Sequence, residues 1–210
     1  MSGFRVIEAE GDIAEGAAHL AATCPVWARV LPELGPLPLR RREDGFGAVM
    51  SAIVSQQISV AAAASISGRL AAAGLDRAET ITAAEDAALR GCGLSGQKVR
   101  YLRALAGAGI DFDALRGMPD EEVIATLTAL PGIGRWTAEM YLIFALGRAD
   151  AFAPDDLALQ EAARIMYALP ERPRGKALAE IAKPWAPWRA VAARGLWAYY
   201  HHAKGREGVT

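Results

Sequence analysis

An all-α fold is the reading this sequence supports, on three observations. Apolar residues recur at three- and four-residue spacing in almost every segment. Serine, aspartate and proline stand at the starts of those segments, and glycine stands at several of their ends. Only Phe4-Arg5-Val6-Ile7-Glu8 alternates apolar and polar residues as a half-buried strand would.

Taken in order, residues 12–23 begin on a capping aspartate and place Ile13, Ala17, Leu20 and Ala21 on one helical face. Residues 32–38 are proline-rich, and Arg40-Arg41-Arg42 follows, so this region reads as a loop or linker. A charge run of this kind is more often a solvated surface than a binding site. Residues 46–73 read as a helix interrupted near Gln56-Gln57-Ile58-Ser59, with Ser59 placed to cap the second half. Residues 83–90 stop at Gly91, and Ser95 opens a helix with Val99, Leu102, Leu105 and Ala106 inside and Lys98, Arg100 and Arg103 outside. Pro119-Asp120-Glu121-Glu122 starts another, its acids meeting the positive end of the helix dipole. Residues 135–146 end at Gly147, and Asp155 or Asp156 caps a helix reaching to 168. Helices at 173–183 and 187–203 complete the set.

The 210 residues suffice for one domain or two small lobes. No apolar run is long enough to span a bilayer, and the first residues lack a secretory pattern. Cys24 and Cys92 are the only cysteines, too few for an iron–sulfur cluster or a thiolate-rich zinc site. Reduced, buried thiols in a bacterial-type cytoplasmic protein are expected. The formal charge is −1, from 23 basic and 24 acidic residues, whereas a non-specific DNA coater is strongly basic. Nucleic acid, if bound, must be held by a local patch, main-chain amides and a pocket.

The richest stretch is Leu130-Pro131-Gly132-Ile133-Gly134-Arg135-Trp136-Thr137-Ala138, with Pro154-Asp155-Asp156 downstream. Pro131 fixes its own φ, and the alternate glycines permit backbone angles and a close approach that side chains would forbid. Helical residues follow at once, so first-turn N–H groups stand beside the glycines as an anion site suited to phosphate. Acids one helix later could act on a sugar attached to that phosphate.

Four blocks carry a resemblance. They are Ser51-Ala52-Ile53-Val54-Ser55-Gln56-Gln57-Ile58-Ser59-Val60-Ala61; Gly93-Leu94-Ser95-Gly96-Gln97-Lys98-Val99; residues 130–138 with Pro154-Asp155-Asp156; and Pro187-Trp188-Arg189-Ala190-Val191-Ala192 with Trp197. In this order they resemble the helix-hairpin-helix DNA glycosylases, and within them the 3-methyladenine DNA glycosylase II branch. The resemblance covers residues 46–200. It implies two helical lobes with the helix-hairpin-helix motif at an interdomain cleft, one of residues 46–129 and the other of residues 1–45 plus 130–210.

The resemblance also implies roles. Asp156 matches the family's catalytic aspartate, which stabilises positive charge on the sugar and orients water. Of Asp155 and Asp156, one is expected to cap the helix and the other, Asp156, to react. Trp136 stands where bifunctional members carry a Schiff-base lysine, so simple hydrolysis without strand cleavage is expected. Trp136 and Trp197 match pocket aromatics that attract an electron-poor alkylated base. Met140 and Leu157 stand where relatives can carry aromatics, which implies a less aromatic base pocket. Trp27, Trp185 and Trp188 are left unassigned, core packing being the plain reading. Gln57 matches the wedge that fills the gap left by a flipped base.

Phosphate is expected on the N–H groups of Gly132, Gly134 and Trp136, with Arg135 or Arg148 nearby. Lys98, Arg100, Lys176 and Arg189 are further phosphate candidates, although exposed helix cations are usually just solvated. Carbonyls of Thr128, Leu130 and Ile133 are the positions for a structural Na⁺ or K⁺. No cofactor is expected for catalysis. His201 and His202 are read as helix-end residues rather than metal ligands. The expected partner is duplex DNA with a damaged base, bound by a monomer. The competing readings are a glycosylase for deaminated or oxidised purines, and a non-catalytic hairpin module, against which Asp156 with Trp136 and Trp197 argues.

Overall fold

The computed structural model describes residues 4–204. Among them thirteen α-helices, a π-helical turn and a 3-10 turn carry the chain, and no strand forms. The helices are α1 (Glu10–Thr23), α2 (Pro25–Leu34), α3 (Phe46–Ser55), α4 (Val60–Ala72), α5 (Ala78–Ala83), α6 (Asp86–Gly91), α7 (Gly96–Gly107), α8 (Phe112–Leu115), α9 (Asp120–Thr128), α10 (Arg135–Met140), α11 (Leu157–Met166), α12 (Gly175–Ala182) and α13 (Arg189–Lys204). The π-helical turn, Tyr141–Leu146, continues directly from α10. The fold is all-α, and no helix among the described residues is long and apolar enough to cross a membrane.

The chain forms two compact units. The terminal unit joins Met1–Arg41 to Leu142–Thr210, and the central unit is Arg42–Tyr141. The sequence reading ended the central segment at residue 129. In the structure the hairpin belongs with the central unit, where Gln56 Nε2 donates to Gly132 O at 2.8 Å.

In the terminal unit α1 begins at Glu10, earlier than Asp12. Asp12 Oδ2 accepts from the N–H groups of Glu8 at 2.8 Å and Ala9 at 2.9 Å. The aspartate thus serves the helix start from inside the first turn, and those bonds hold its carboxyl below the usual range. The alternating segment before α1 makes one antiparallel bridge, Val6 to Arg148, with Ile7 N–H on Gly147 O at 2.7 Å. That pairing is too short for a strand. Helix α2 was hidden by its prolines: Pro25 occupies the first turn, where a proline fits, and Pro32 lies in the last.

The tryptophans left unassigned are core. Trp185 packs edge-on to Trp27 at 5.6 Å and to Phe152 at 5.7 Å, with Tyr167 stacked at 6.3 Å. Trp27, Trp185 and Trp188 are all buried. A Cβ on Gly16 would press into Val191 and Trp188, so the missing side chain lets α1 approach α13 closely.

In the central unit the interruption at residues 56–59 falls as expected, and Ser59 Oγ accepts from Ala62 N–H at 3.2 Å to cap α4. The helix expected over 83–90 divides into the end of α5 and α6. Arg103, read from the sequence as outward-facing, explains the division. Its guanidinium donates to the carbonyls of Ile81 and Thr82, at 2.9 and 3.2 Å, and of Ala84, and to Asp86 Oδ1. Those carbonyls therefore find their partner outside the helix, and α5 stops. The helix expected over 135–146 changes character at Tyr141, and Gly147, at φ +70°, ends it.

Candidate active site

The turn Pro154-Asp155-Asp156 is closed by Asp156 N–H on Ala153 O at 3.1 Å and by Gln160 Nε2 on Pro154 O at 2.9 Å. It delivers Asp156 to the N-cap of α11. There Oδ1 accepts from the N–H groups of Ala158 and Leu159, both at 2.9 Å. The indole Nε1 of Trp197, on α13, donates to the same oxygen at 3.4 Å. Trp197 in turn stacks on Phe144, with ring centroids 5.5 Å apart and planes at 29°. Asp156 is only 9% exposed. Three donors on one oxygen leave this carboxylate little freedom, which is what a charge-stabilising group needs.

The expected division of labour between the two acids is changed. Asp156 itself is the cap of α11. Asp155 lies against Gly175, where a Cβ would run into its carboxylate, and so faces the first residue of α12. A carboxylate there meets the positive end of that helix. Replacing Asp155 by alanine is expected to leave the chemistry intact and to lower stability by less than about 1 kcal/mol. Thermal melting and base release measured on Asp155→Ala check this, and a loss of activity without a loss of stability would contradict it.

In the central unit the hairpin follows α9. Gly132 sits at φ +87°, and a Cβ on it would collide with the ring of Tyr101. Ile133 N–H donates to Leu130 O at 3.2 Å, which closes the turn, and Gly134 caps α10 in extended conformation. First-turn amides of α10 follow directly, as an anion-binding hairpin requires. Trp136 is 50% exposed on α10, and Met140 is half-buried. In the terminal unit Leu157 is exposed and Trp197 half-buried.

The cations behave differently from expectation. Arg135 is paired with Glu121 at 2.7 Å and with buried Glu139 at 3.0 Å, so it ties α9 to α10. Arg148 is buried, its guanidinium 3.6 Å over the Phe4 ring, and this removes it from any surface phosphate role. Arg189 forms a two-point pair with Asp150 at 2.8 and 2.7 Å. Lys98 donates to Val54 O at 2.6 Å at the end of α3, and burial pushes its pKa down. Arg100 and Lys176 are exposed. His201, near the end of α13, lies edge-on to Tyr200 at 5.7 Å.

The two glutamines between α3 and α4 have separate tasks. Gln56 turns inward to the carbonyl of Gly132, which leaves Gln57 as the exposed one. Gln57 takes φ +59°, a left-handed conformation unusual for a residue with a Cβ. Strain of this kind persists where the surroundings impose it, and here Lys98 and Gln56 fasten the chain before Gln57 and the Ser59 cap fastens it after.

Residues 50–187 match the family model of the HhH-GPD superfamily base excision DNA repair proteins. The chain belongs to that superfamily. The HhH-GPD match takes in Gln57, the hairpin and Asp156, while Trp197 lies beyond it on α13. An HhH-GPD chain is thus joined to a C-terminal helix that touches its aspartate. Among curated relatives, the alkylbase DNA glycosidase-like protein mag2 of Schizosaccharomyces pombe is 29% identical, over 94% of this chain and 99% of its own length. The crystal structure of a DNA-3-methyladenine glycosidase from Bacillus halodurans is similar at a TM-score of 0.80 and 32% identity, covering 97% of this chain and 94% of that one. The S. pombe 3-methyladenine DNA glycosylase (Mag1) in complex with abasic DNA gives 0.74 and 28%, covering 90% and 97%.

Four residues of this HhH-GPD chain escaped the sequence reading: Gln56, Phe144, Gln160 and Arg194. Phe144 sits in the run Tyr-Leu-Ile-Phe-Ala-Leu and reads as plain core. Arg194 did carry a signal, since it is the one charge inside the apolar run from Ala190 to Leu196.

Proposed function

We propose that this protein is a monofunctional DNA glycosylase. It hydrolyses the N-glycosidic bond of alkylated bases of the 3-methyladenine type and leaves an abasic site for base excision repair. The observation that carries the reading is the Asp156 carboxylate, held at the head of α11 by two amides and the Trp197 indole, in an HhH-GPD chain. The names of the relatives, alkylbase and 3-methyladenine glycosylases, support the substrate class.

The chemistry follows from charge. As the C1′–N bond lengthens, positive charge develops on the sugar, as in other glycoside cleavage. The immobilised Asp156 carboxylate stabilises that charge and orients the attacking water. A cationic alkylated purine leaves without a general acid. In the central unit Trp136 is an aromatic on which such an electron-poor base can stack, with aliphatic Met140 one turn on; in the terminal unit Trp197 is another, with aliphatic Leu157 following Asp156. Gln57, exposed on its strained turn, fills the vacated stack and hydrogen-bonds the orphaned base.

The hairpin holds backbone phosphate through the N–H groups of Gly132, Gly134 and Trp136. The carbonyls of Thr128, Leu130 and Ile133 are a neutral oxygen set, which suits Na⁺ or K⁺. Leu130 O accepts from Ile133 N–H, but a carbonyl oxygen has a second lone pair. An ion held by these carbonyls would supply positive charge favourable to a nearby phosphate.

Trp136 has no amine with which to form a Schiff base, so strand cleavage is not expected. The test is a duplex with one alkylated base, incubated with purified protein. Free methylated base should appear, and the strand should break only after added alkali. Incision without alkali would refute the monofunctional reading. Release of a deaminated or oxidised purine in preference to the methylated base would redirect the substrate class.

A further inference from the structure

We infer that Arg194 and Arg41 are positioning residues for the Asp156 carboxylate, acting through the π-helical turn and the Phe144–Trp197 ring pair. This rests on the glycosylase reading and adds to it two residues of the terminal unit.

A π-helical turn misaligns its carbonyls for ordinary helix bonds, and buried carbonyls need donors. Here three successive carbonyls receive arginine donors. Arg194 Nη2 donates to Ile143 O at 3.3 Å, and Arg41 Nη1 donates to Phe144 O at 3.3 Å and Ala145 O at 2.5 Å. Arg194 is 1% exposed. It also donates from Nε to Leu39 O at 3.2 Å and from Nη1 to Ala190 O at 2.9 Å. Its guanidinium lies 5.0 Å from the Phe144 ring centroid. Among the described residues its partners are carbonyl oxygens and a ring face, without a neutralising carboxylate. Burial of that kind is expensive, and an apolar side chain would fill the same space more cheaply. What the guanidinium supplies is a fixed position for the turn and for Phe144.

From there the contacts run to the acid. Phe144 stacks on Trp197, and Trp197 reaches Asp156 Oδ1 at 3.4 Å, near the outer limit of a hydrogen bond. A small shift of Phe144 releases the indole and with it one of the three donors on that oxygen. Displacements of this size at a reacting group reduce rates steeply.

The test uses Arg194→Met, Arg194→Lys and Phe144→Leu in the full chain. Three measurements are made: single-turnover base release, affinity for a duplex carrying a tetrahydrofuran abasic analogue, and acrylamide quenching of Trp197. The quenching is read as the difference between each protein and its Trp197→Phe counterpart. Arg194→Met is expected to melt cooperatively, to release base about 10–100-fold more slowly and to bind the abasic duplex as wild type does. Trp197 should become more quenchable, and Arg194→Lys should recover part of both losses. Phe144→Leu should reproduce the pattern with every arginine in place. A wild-type rate, or unchanged Trp197 quenching, in folded Arg194→Met overturns the proposal. If Arg194→Met does not fold, the same two results in Phe144→Leu overturn it. Should the wild type release no alkylated base, the functional reading fails by itself, and the quenching still decides the positioning.

Discussion

Asp156→Asn is expected to abolish base release while the protein stays folded and keeps its affinity for an abasic duplex. The substitution is selective because Asp156 does two things with different atoms and charges. As a cap it needs one oxygen acceptor for Ala158 and Leu159 N–H, and an asparagine Oδ1 supplies that equally well. As a charge-stabilising group it needs the negative charge, which asparagine lacks. Removal of a single preorganised electrostatic group typically lowers turnover by about 10²–10³-fold, and at least that is expected here. Asp156→Ala differs in a readable way: it also removes the cap, so melting should fall by about 1 kcal/mol on top of the lost activity. Single-turnover release and thermal melting on both variants separate the two roles. Near-wild-type release by the asparagine variant would end the assignment.

Gly132→Ala should be the most damaging single methyl in the central unit. The position lies at φ +87°, where an L-residue costs about 1–2 kcal/mol. The added Cβ also meets the Tyr101 ring, whose hydroxyl accepts from Gln97 Nε2 at 2.5 Å. The ring cannot yield without disturbing that bond, and the hairpin cannot yield without disturbing the Gln56 bond to Gly132 O. The expected result is a lower melting temperature and at least about tenfold weaker DNA binding, the factor that corresponds to 1.4 kcal/mol. Adding Tyr101→Ala should restore part of the stability and leave the backbone strain. Unchanged melting and DNA affinity in Gly132→Ala would show that the hairpin tolerates another backbone path.

Elements with local signals were legible before folding. The α3 break and the Ser59 cap, the stop at Gly147 and an aspartate cap at 155 or 156 are each written in one or two neighbouring letters. What was illegible depends on residues far apart in the chain. Arg103 ends α5 from a helix away, and Gln56 differs from Gln57 only because Gly132 lies within its reach. Arg148 and Arg189 read as phosphate candidates in the sequence until Phe4 and Asp150 are seen beside them. Prolines misled in the opposite direction: Pro32 suggested a loop where the last turn of a helix tolerates it. The sequence leaves the cap open between Asp155 and Asp156, and that Asp156 serves as cap while its neighbour faces a different helix could only come from three dimensions.

The division of the chain bears on the order in which the protein can be made. The central unit, Arg42–Tyr141, is one uninterrupted run, so all its partners have emerged once Tyr141 is synthesised. The terminal unit is not. Its first two helices are translated before the central unit, yet α13, against which Gly16 on α1 packs, is translated after it. Closing that unit means joining residues separated by most of the chain, the slow, high-contact-order step of folding. Until α13 is made, α1 and α2 lack the helix that covers part of their apolar face, and Trp197 does not yet exist beside Asp156. A ribosome-bound chain stopped after the central unit would hold the hairpin and not Asp156.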